Sequence, residues 1–257
     1  MKRLGQYFLK NKGVSHKIAS VLEIQDDDTI IEIGPGHGEL TREIISENKE
    51  ARIVAIEKDA ELAGQLQEGF KDEARIRILT GDALKIIPEL TSEKDIQNYK
   101  LTGNIPYYIT GFLLRTLGEL TNKPSVSVLM IQKEVAERLN AKPPHMNRLA
   151  ASVGFWAESK ILFSVSRENF SPPPEVDSAV ISLRTKEELG EGEAKYYALV
   201  RMLFKQPRKT IFNNLRGSGP ENIESALKEL GINPQDRPQN LEIQNIIALS
   251  KILKISE

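Results

Sequence analysis

Short apolar segments alternate with amphipathic helical segments from residue 29 to residue 185, and this alternation restricts the chain to few architectures. The apolar segments have the length and composition of buried strands, and those between them, such as residues 39–48 and 60–70, have helical spacing. Such alternation predicts βαβ units, and therefore an α/β fold with a mostly parallel sheet and helices on both faces. The predicted strands are residues 29–34, 51–57, 75–84, 99–104, 125–132, 158–165 and 178–185.

The pattern changes near Lys186. The segment "KEELGEGE" (186–193) is charged and contains glycines, which is typical of a linker, and the residues after it have helical spacing only. We therefore predict an α/β domain over residues 1–186 and a smaller helical domain over residues 187–257.

Composition excludes several classes of protein. With 40% hydrophobic and 28% charged residues, the chain resembles a soluble globular protein, and no apolar run approaches the roughly 18 residues of a membrane helix. There are no cysteines, and the three histidines are scattered, so we expect no metal site. We expect a cytoplasmic monomer with no membrane partner. A net charge of −1 leaves nucleic-acid binding to local basic patches.

A glycine-rich turn follows the first of these strands. In "IEIGPGHGEL", Gly34, Gly36 and Gly38 lie between a predicted strand and a predicted helix, where a ligand can approach the backbone and the helix N-terminus. Glu57 ends the next strand, where a carboxylate can bind ribose hydroxyls. These features indicate a nucleotide-type cofactor, and a nicotinamide dehydrogenase fits them equally well.

Asp82 and Asn104 favour a particular cofactor. Asp82 ends the third predicted strand and Asn104 the fourth, so both should join Gly34 and Glu57 in one crevice at the carboxyl edge of the sheet. Asp82 alone would fit a helix N-cap. In this series its carboxylate can accept a hydrogen bond from the adenine amino group of S-adenosylmethionine, whose ribose Glu57 would hold.

The stretch "NIPYY" (104–108) ends the fourth strand in an unusual way. Pro106 has no N–H and keeps Ile105 extended, which frees the Ile105 carbonyl beside the side-chain carbonyl of Asn104. Two acceptors suit the two hydrogens of an exocyclic amino group, and binding both directs the nitrogen lone pair toward an electrophilic methyl group. Tyr107 would stack on the base. The stretch therefore predicts methylation of an adenine amine.

Seven segments, taken in order and spacing, resemble the KsgA (RsmA) family of small-subunit rRNA adenine N6,N6-dimethyltransferases, and the resemblance covers nearly the whole chain. They are "GQYFL" (5–9), "EIGPGHGELT", "AIEKD", "GDAL", "GNIPYYIT", "MIQKEVAERL" and "FSPPPEVDSAVISL". Together these motifs are highly specific.

This resemblance implies a Rossmann-like methyltransferase domain with a small all-helical C-terminal domain. It implies S-adenosylmethionine as donor, and two adjacent adenosines near the 3′ end of 16S rRNA, in an immature small ribosomal subunit, as substrate. Tyr107 and Phe170 would flank the target adenine. The residues that the resemblance places at the cofactor are Tyr7, Leu9, Gly34, Gly36, Glu57, Asp82 and Asn104.

Two aromatic residues need separate comment. The family usually has asparagine or histidine where this chain has Tyr7, so one hydrogen bond to the cofactor is lost or is made by a phenol. Phe170 precedes "SPPP", a stiff extended run that would hold its ring at the crevice rim, although an aromatic beside a strand is more often part of a core.

Basic residues concentrate in two places, near the N-terminus and in residues 204–217, and such clusters suit the phosphates of a structured RNA. Solvated helix faces have the same composition. The predicted RNA-binding residues are Lys10, Lys205, Arg208, Lys209 and Arg216, with Lys2, Arg3 and Lys12 in the N-terminal cluster.

Three alternatives remain at this point. An Erm-type 23S rRNA adenine dimethyltransferase shares "NIPY", although "EIGPG", "FSPPPEVDSAV" and the helical tail resemble the KsgA pattern better. A ribosome-assembly factor with impaired catalysis would bind RNA without transferring methyl groups. A nicotinamide enzyme would leave "NIPY" without a purpose.

Overall fold

The computed structural model describes residues 7–187, 192–216 and 222–254. Contacts between Cα atoms divide the chain into two compact units. The first contains Met1–Ala136 and Ser159–Thr185, and the second contains Glu137–Glu158 and Lys186–Glu257.

Strands and helices alternate as predicted through the first unit, and this confirms the α/β fold. The strands are β1 (Phe8–Leu9), β2 (Thr29–Ile33), β3 (Arg52–Glu57), β4 (Ile76–Thr80), β5 (Tyr99–Asn104), β6 (Val126–Gln132), β7 (Ala157–Val165), β8 (Phe170–Ser171) and β9 (Ser178–Thr185). The helices up to β7 are α1 (Lys12–Ser20), α2 (Glu39–Glu47), α3 (Ala60–Gly69), α4 (Ala83–Leu90), α5 (Thr110–Glu119), α6 (Lys133–Leu139) and α7 (Arg148–Gly154).

Seven strands form one sheet in the order β4-β3-β2-β5-β6-β9-β7. The first five strands in this order are mutually parallel: β4, β3, β2, β5 and β6. Strand β9 pairs antiparallel with β6. The chain runs from β2 outward to β4 and then returns to place β5 on the other side of β2. Open α/β sheets bind ligands where the strand order reverses in this way, which here is the carboxyl edge of β2 and β5.

The composition of the strands explains why the sheet is covered on both faces. All five residues of β2 are buried, as expected for a parallel strand between two helical layers. On one face, Ile30 packs in a cluster with Ile18 of α1, Ile44 of α2 and Met130 of β6. Strands β1 and β8 form a separate two-stranded antiparallel ribbon that the sequence did not predict.

The second unit is helical in its described residues after β9, as predicted. Its helices are α7 and, after the linker, α8 (Glu193–Leu203), α9 (Ile211–Arg216), α10 (Ile223–Glu229) and α11 (Ile243–Ile252). Part of the predicted linker, residues 188–191, lies outside the described residues.

The grouping of the chain differs from the predicted division at residue 186, because residues 137–158 belong with the C-terminal helices. The Tyr196 hydroxyl donates to the carbonyl of Ala151 at 2.7 Å, and the Tyr196 ring lies 4.5 Å from the ring of Phe155. The Met146 N–H donates to the Gln239 carbonyl at 3.1 Å. The apolar and aromatic residues of this insertion therefore complete a helical core, which sequence order alone does not show.

Gly103 allows β5 to approach β2 closely at the carboxyl end of the two strands. A Cβ at Gly103 would lie 2.4 Å from the carbonyl oxygen of Ile33, a backbone atom that cannot move without displacing β2. We expect Gly103→Ala to lower the free energy of unfolding by at least about 1–3 kcal/mol. In Gly64→Ala, the matched control inside α3, a Cβ meets nothing within 4 Å, so stability should rise by about 0.5–1 kcal/mol. Urea unfolding of both variants measures the difference, and equal midpoints would contradict the close approach.

Candidate active site

A cavity of about 390 Å³ opens at the carboxyl ends of β2, β3, β4 and β5. The four residues predicted to converge there, Gly34, Glu57, Asp82 and Asn104, all line it. The other predicted residues that line it are Tyr7, Leu9, Gly36, Ile105, Pro106 and Tyr107.

The glycine turn after β2 forms one wall of the cavity. Gly34 has a φ of 65° and Gly36 a φ of 60°, left-handed values that other residues rarely adopt. The Gly34 N–H donates to the Ile56 carbonyl at 2.9 Å, which extends the sheet pairing into the turn. A Cβ at Gly34 would have only the Asn104 carbonyl oxygen nearby, at 3.9 Å, so the space above this residue remains open.

The carboxylate of Glu57 is fixed by two backbone donors. Its Oε2 accepts from the Gly36 N–H at 3.1 Å, and its Oε1 accepts from the Asp59 N–H at 2.9 Å. The side chain is buried, with 4% of the residue exposed. Each carboxylate oxygen has a second lone pair, so this orientation leaves acceptor capacity for the hydroxyls of a ribose.

Asp82 both caps a helix and lines the cavity. Its Oδ1 accepts from the Leu84 N–H at 3.1 Å, which caps α4, and its Oδ2 lies 2.9 Å from Nζ of Lys58. The hydrogen bond from Lys58 holds the pKa of Asp82 below its usual value. The carboxylate is therefore ionised at neutral pH and is available as an acceptor at the cavity wall.

Asn104 is oriented by the N-terminal segment. Its Nδ2 donates to the backbone carbonyl of Tyr7 at 2.7 Å. Within the described residues, neither Asn104 Oδ1 nor the Ile105 carbonyl accepts a hydrogen bond. The acceptor is the backbone carbonyl of residue 7, so the orientation of Asn104 does not depend on which side chain this residue carries. The sequence did not reveal this contact between distant segments.

Tyr107 is held from two sides. It begins a short 3₁₀ helix, Tyr107–Ile109, and its hydroxyl lies 3.0 Å from Oγ of Ser178. Its ring lies 5.6 Å from the ring of Tyr7, at an angle of 40°. Burial raises the pKa of Tyr107, so the phenol stays protonated at neutral pH. These contacts fix the ring beside Asn104, where the sequence predicted a stacking residue.

The predicted position of Phe170 at the crevice rim is wrong. Phe170 is buried, with 1% exposed, and does not line the cavity. It pairs with Leu9 across the β1–β8 ribbon and packs in the same apolar cluster as Ile18. The ring therefore lies within the apolar core, as is usual for an aromatic beside a strand.

Glu32, which the sequence analysis missed, also lines the cavity. It is buried in the middle of β2, with 1% exposed, and accepts a hydrogen bond from Oγ1 of Thr41 at 2.7 Å. Burial raises its pKa to about 7, and the negative charges of Glu39 and Glu57 add to the effect. An acidic residue inside the apolar segment "TIIEIG" was a visible signal.

The predicted basic residues of the second unit are exposed on an ordered loop. Lys205, Arg208 and Lys209 follow α8, and the buried side chain of Asn214 holds the loop that carries them. Its Nδ2 donates to the carbonyls of Gln206 at 3.0 Å and of Lys209 at 3.2 Å. Within the described residues, these three cations and Arg216 have no ion-pair partner within 4.0 Å.

Of the N-terminal cluster, Lys10 and Lys12 are exposed, whereas Lys2 and Arg3 lie outside the described residues. In the part of the chain that the structure describes, no three or more potential metal-ligating side chains come together. None of the helices described is both long enough and apolar enough to cross a membrane.

Comparison with known proteins identifies relatives over nearly the whole chain. The family model for ribosomal RNA adenine dimethylase matches residues 1–254. Ribosomal RNA small subunit methyltransferase A of Dehalococcoides mccartyi (strain CBDB1) is 38% identical over 249 residues, which are 95% of this chain and 84% of that protein. The protein of the same name from Clostridium botulinum (strain Okra / Type B1) is 38% identical over 258 residues, 97% of this chain and 92% of that protein.

Two solved structures resemble the chain closely. A dimethyladenosine transferase from Plasmodium falciparum superposes with a TM-score of 0.80 at 26% identity, covering 96% of this chain and 99% of that chain. The 23S rRNA methyltransferase ErmE superposes with a TM-score of 0.76 at 26% identity, covering 95% of this chain and 98% of that chain.

The raised pKa of Glu32 predicts a loss of stability as pH rises. Between the unfolded value of 4.5 and the folded value of about 7, the folded state binds the extra proton, so ionisation above this window costs about 3 kcal/mol. Glu32→Gln keeps an acceptor for Thr41 and removes the titration. The stability of this variant relative to the wild type should therefore grow from pH 4.5 to pH 8.

Urea unfolding at four pH values in this range measures the effect. Glu47→Gln, which changes an exposed carboxylate on α2, is the control. Parallel pH profiles for the wild type and Glu32→Gln would show that the Glu32 pKa is not raised.

Proposed function

The chain belongs to the ribosomal RNA adenine dimethylase family, and we propose that it transfers methyl groups from S-adenosylmethionine to N6 of two adjacent adenosines near the 3′ end of 16S rRNA in an immature small ribosomal subunit. The choice of small-subunit RNA is supported by the 38% identity to relatives named ribosomal RNA small subunit methyltransferase A. The observation that carries the proposal is the Asn104 amide, which the Tyr7 carbonyl holds in the cavity wall beside Pro106 and Tyr107.

The residues that line the cavity support S-adenosylmethionine as the cofactor. Glu57 would accept from the ribose hydroxyls and Asp82 from the adenine amino group, and the open backbone at Gly34 leaves room for the ligand. Carboxylates dominate the charged residues of the lining, which suits a ligand with a sulfonium and an ammonium group. The charged residues that line the cavity are Glu32, Glu39, Glu57, Lys58, Asp59 and Asp82. When bound, S-adenosylmethionine supplies a methyl group on a positively charged sulfur.

The target amine would be bound and aligned by the last residue of β5, Asn104, and by Ile105, which follows it. Oδ1 of Asn104 and the carbonyl of Ile105 would each accept one N6 hydrogen, which draws the nitrogen lone pair out of conjugation with the ring. The ring of Tyr107 would stack on the adenine, a contact that contributes about 1–3 kcal/mol per base.

Positioning supplies much of the rate in this mechanism. The amine has a lone pair once it is aligned, so it needs no strong base before it reacts, and each methylation would then release one N6 proton to water. Holding two reactants in line is itself a large catalytic effect.

The basic loop of the second unit would bind the RNA backbone. Lys205, Arg208 and Lys209 are exposed cations that Asn214 holds on an ordered loop, and Arg216 follows on α9. Phosphate contacts of this kind position an RNA without reading its sequence. The target adenosine must also be splayed out of its helix to reach the cavity.

The decisive test is transfer of labelled methyl from S-adenosylmethionine to immature small subunits that lack the modification, with purified large subunits in a parallel reaction. N6,N6-dimethyladenosine in 16S rRNA supports the proposal. Label only in 23S rRNA would favour the function named for ErmE, which superposes with a TM-score of 0.76. Binding of small subunits without transfer would instead indicate an assembly factor.

Asn104→Ala should remove methylation and leave RNA affinity nearly unchanged. The amide aligns the reacting nitrogen and makes no phosphate contact, so we expect at least a hundredfold lower turnover, about the loss seen when one positioned polar group is removed from an active site. Single-turnover methyl transfer and filter binding to the small subunit measure the two effects. A parallel loss of RNA affinity would contradict this division of roles.

Lys209→Glu should weaken RNA binding in a way that depends on salt. Loss of one phosphate contact should reduce the slope of log affinity against log salt by about 1. Lys228→Glu, on the exposed side of α10, makes the same change of charge outside the basic loop. Equal affinities for the two variants across salt concentrations would exclude the loop from the RNA interface.

A further inference from the structure

An exposed stripe begins in the 3₁₀ helix Tyr107–Ile109 beside the cavity and continues along α5. Tyr108 lines the cavity and is 50% exposed, and Phe112, one helical turn later, is 64% exposed. Gly111 and Arg115 are also exposed, and the spacing of Gly111, Phe112 and Arg115 places these three residues on one side of α5, directly after Tyr108. We call Tyr108, Gly111, Phe112 and Arg115 the α5 stripe.

The stripe is not required for packing. Helix α5 is anchored by its opposite side, where Leu113, Leu114 and Leu117 are buried. A Cβ at Gly111 would meet no atom within 4 Å, so the stripe is open as well as exposed. A single exposed phenylalanine would need no explanation. Two exposed aromatic side chains four residues apart, the first of them at the cavity wall, are a more specific arrangement.

We propose that the α5 stripe stacks on the unpaired bases of the RNA strand next to the adenosine that enters the cavity. This proposal rests on the proposed function and adds to it a second RNA contact. When an adenosine leaves its helix, its neighbours lose stacking partners, and exposed aromatic rings can replace them without regard to sequence.

Charge and size favour RNA over a protein partner. Arg115, whose side chain is 76% exposed, can stack its guanidinium plane on a base or bind a phosphate. The exposed ion pair of Arg115 with Glu119 is weak enough to exchange. Two rings are far smaller than a stable protein interface, which buries about 800 Å² on each partner. Unpaired nucleotides are therefore the occupant that fits.

The test compares variants that remove the rings with variants that keep them. Phe112→Ala and Tyr108→Ala should each weaken binding of unmethylated immature small subunits about tenfold, and the double variant more. Phe112→Tyr and Tyr108→Phe should bind like the wild type, because each keeps a ring that can stack. Val176→Ala, at an apolar residue that is 45% exposed and does not line the cavity, is the control and should have no effect.

Two further readouts separate stacking from other causes. The loss in Phe112→Ala should be the same at low and high salt, because no phosphate contact is removed. Its affinity for S-adenosylmethionine, measured by calorimetry, should equal that of the wild type, because Phe112 does not line the cavity.

Three results would overturn the proposal. The first is an RNA affinity of the double alanine variant equal to that of the wild type. The second is an equal loss of affinity in the ring-keeping and the alanine variants. The third is a dimer that the wild-type protein forms in sedimentation and the double variant does not. The last result would assign the stripe to a second copy of the chain. If the wild type binds small subunits but transfers no methyl group, the proposed function fails, whereas the affinity comparison still decides the role of the stripe.

Discussion

The close approach of β2 and β5 is the constraint on which the site depends. Gly103 lies against the Ile33 carbonyl with no room for a side chain, and this contact brings the ends of the two strands together. Gly34 and Asn104 are the next residues of these strands, so the glycine turn and the acceptor amide face one cavity. The sheet reverses its order at this position, and the helices of its two layers leave the carboxyl edge open there.

The polar groups of the cavity are fixed before any ligand arrives. Two backbone N–H groups hold Glu57, an N-cap bond and Lys58 hold Asp82, and the Tyr7 carbonyl holds Asn104. Such preorganisation lowers the cost of ordering side chains when substrate binds. The same principle explains why Tyr107 is restrained through both its hydroxyl and its ring. The polar groups of the cavity therefore have fixed positions, whereas the rings that stack on bases outside the cavity need less exact placement.

The sequence predicted the elements of the fold and the four strand-end residues of the cavity because both follow from local patterns. Alternating apolar and helical segments specify a parallel sheet, and a parallel sheet places the ends of consecutive strands together. Contacts between distant segments were not predictable in this way. The pairing of Leu9 with Phe170 buries a ring that we expected at the crevice rim. The insertion 137–158 joins the helical unit through contacts of Phe155 and Met146.

Through the β1–β8 ribbon, the orientation of the Asn104 amide depends on segments near the start and near the end of the first unit. Residue 7, whose carbonyl orients Asn104, directly precedes β1, and β1 pairs with β8 near the end of this unit. As the chain emerges from the ribosome, β1 is made first and must wait for its partner until most of the sheet has been synthesised. A nascent chain can therefore have a complete parallel core while its acceptor is still unaligned, so that the ability to bind the amine is acquired only after the parallel strands have formed.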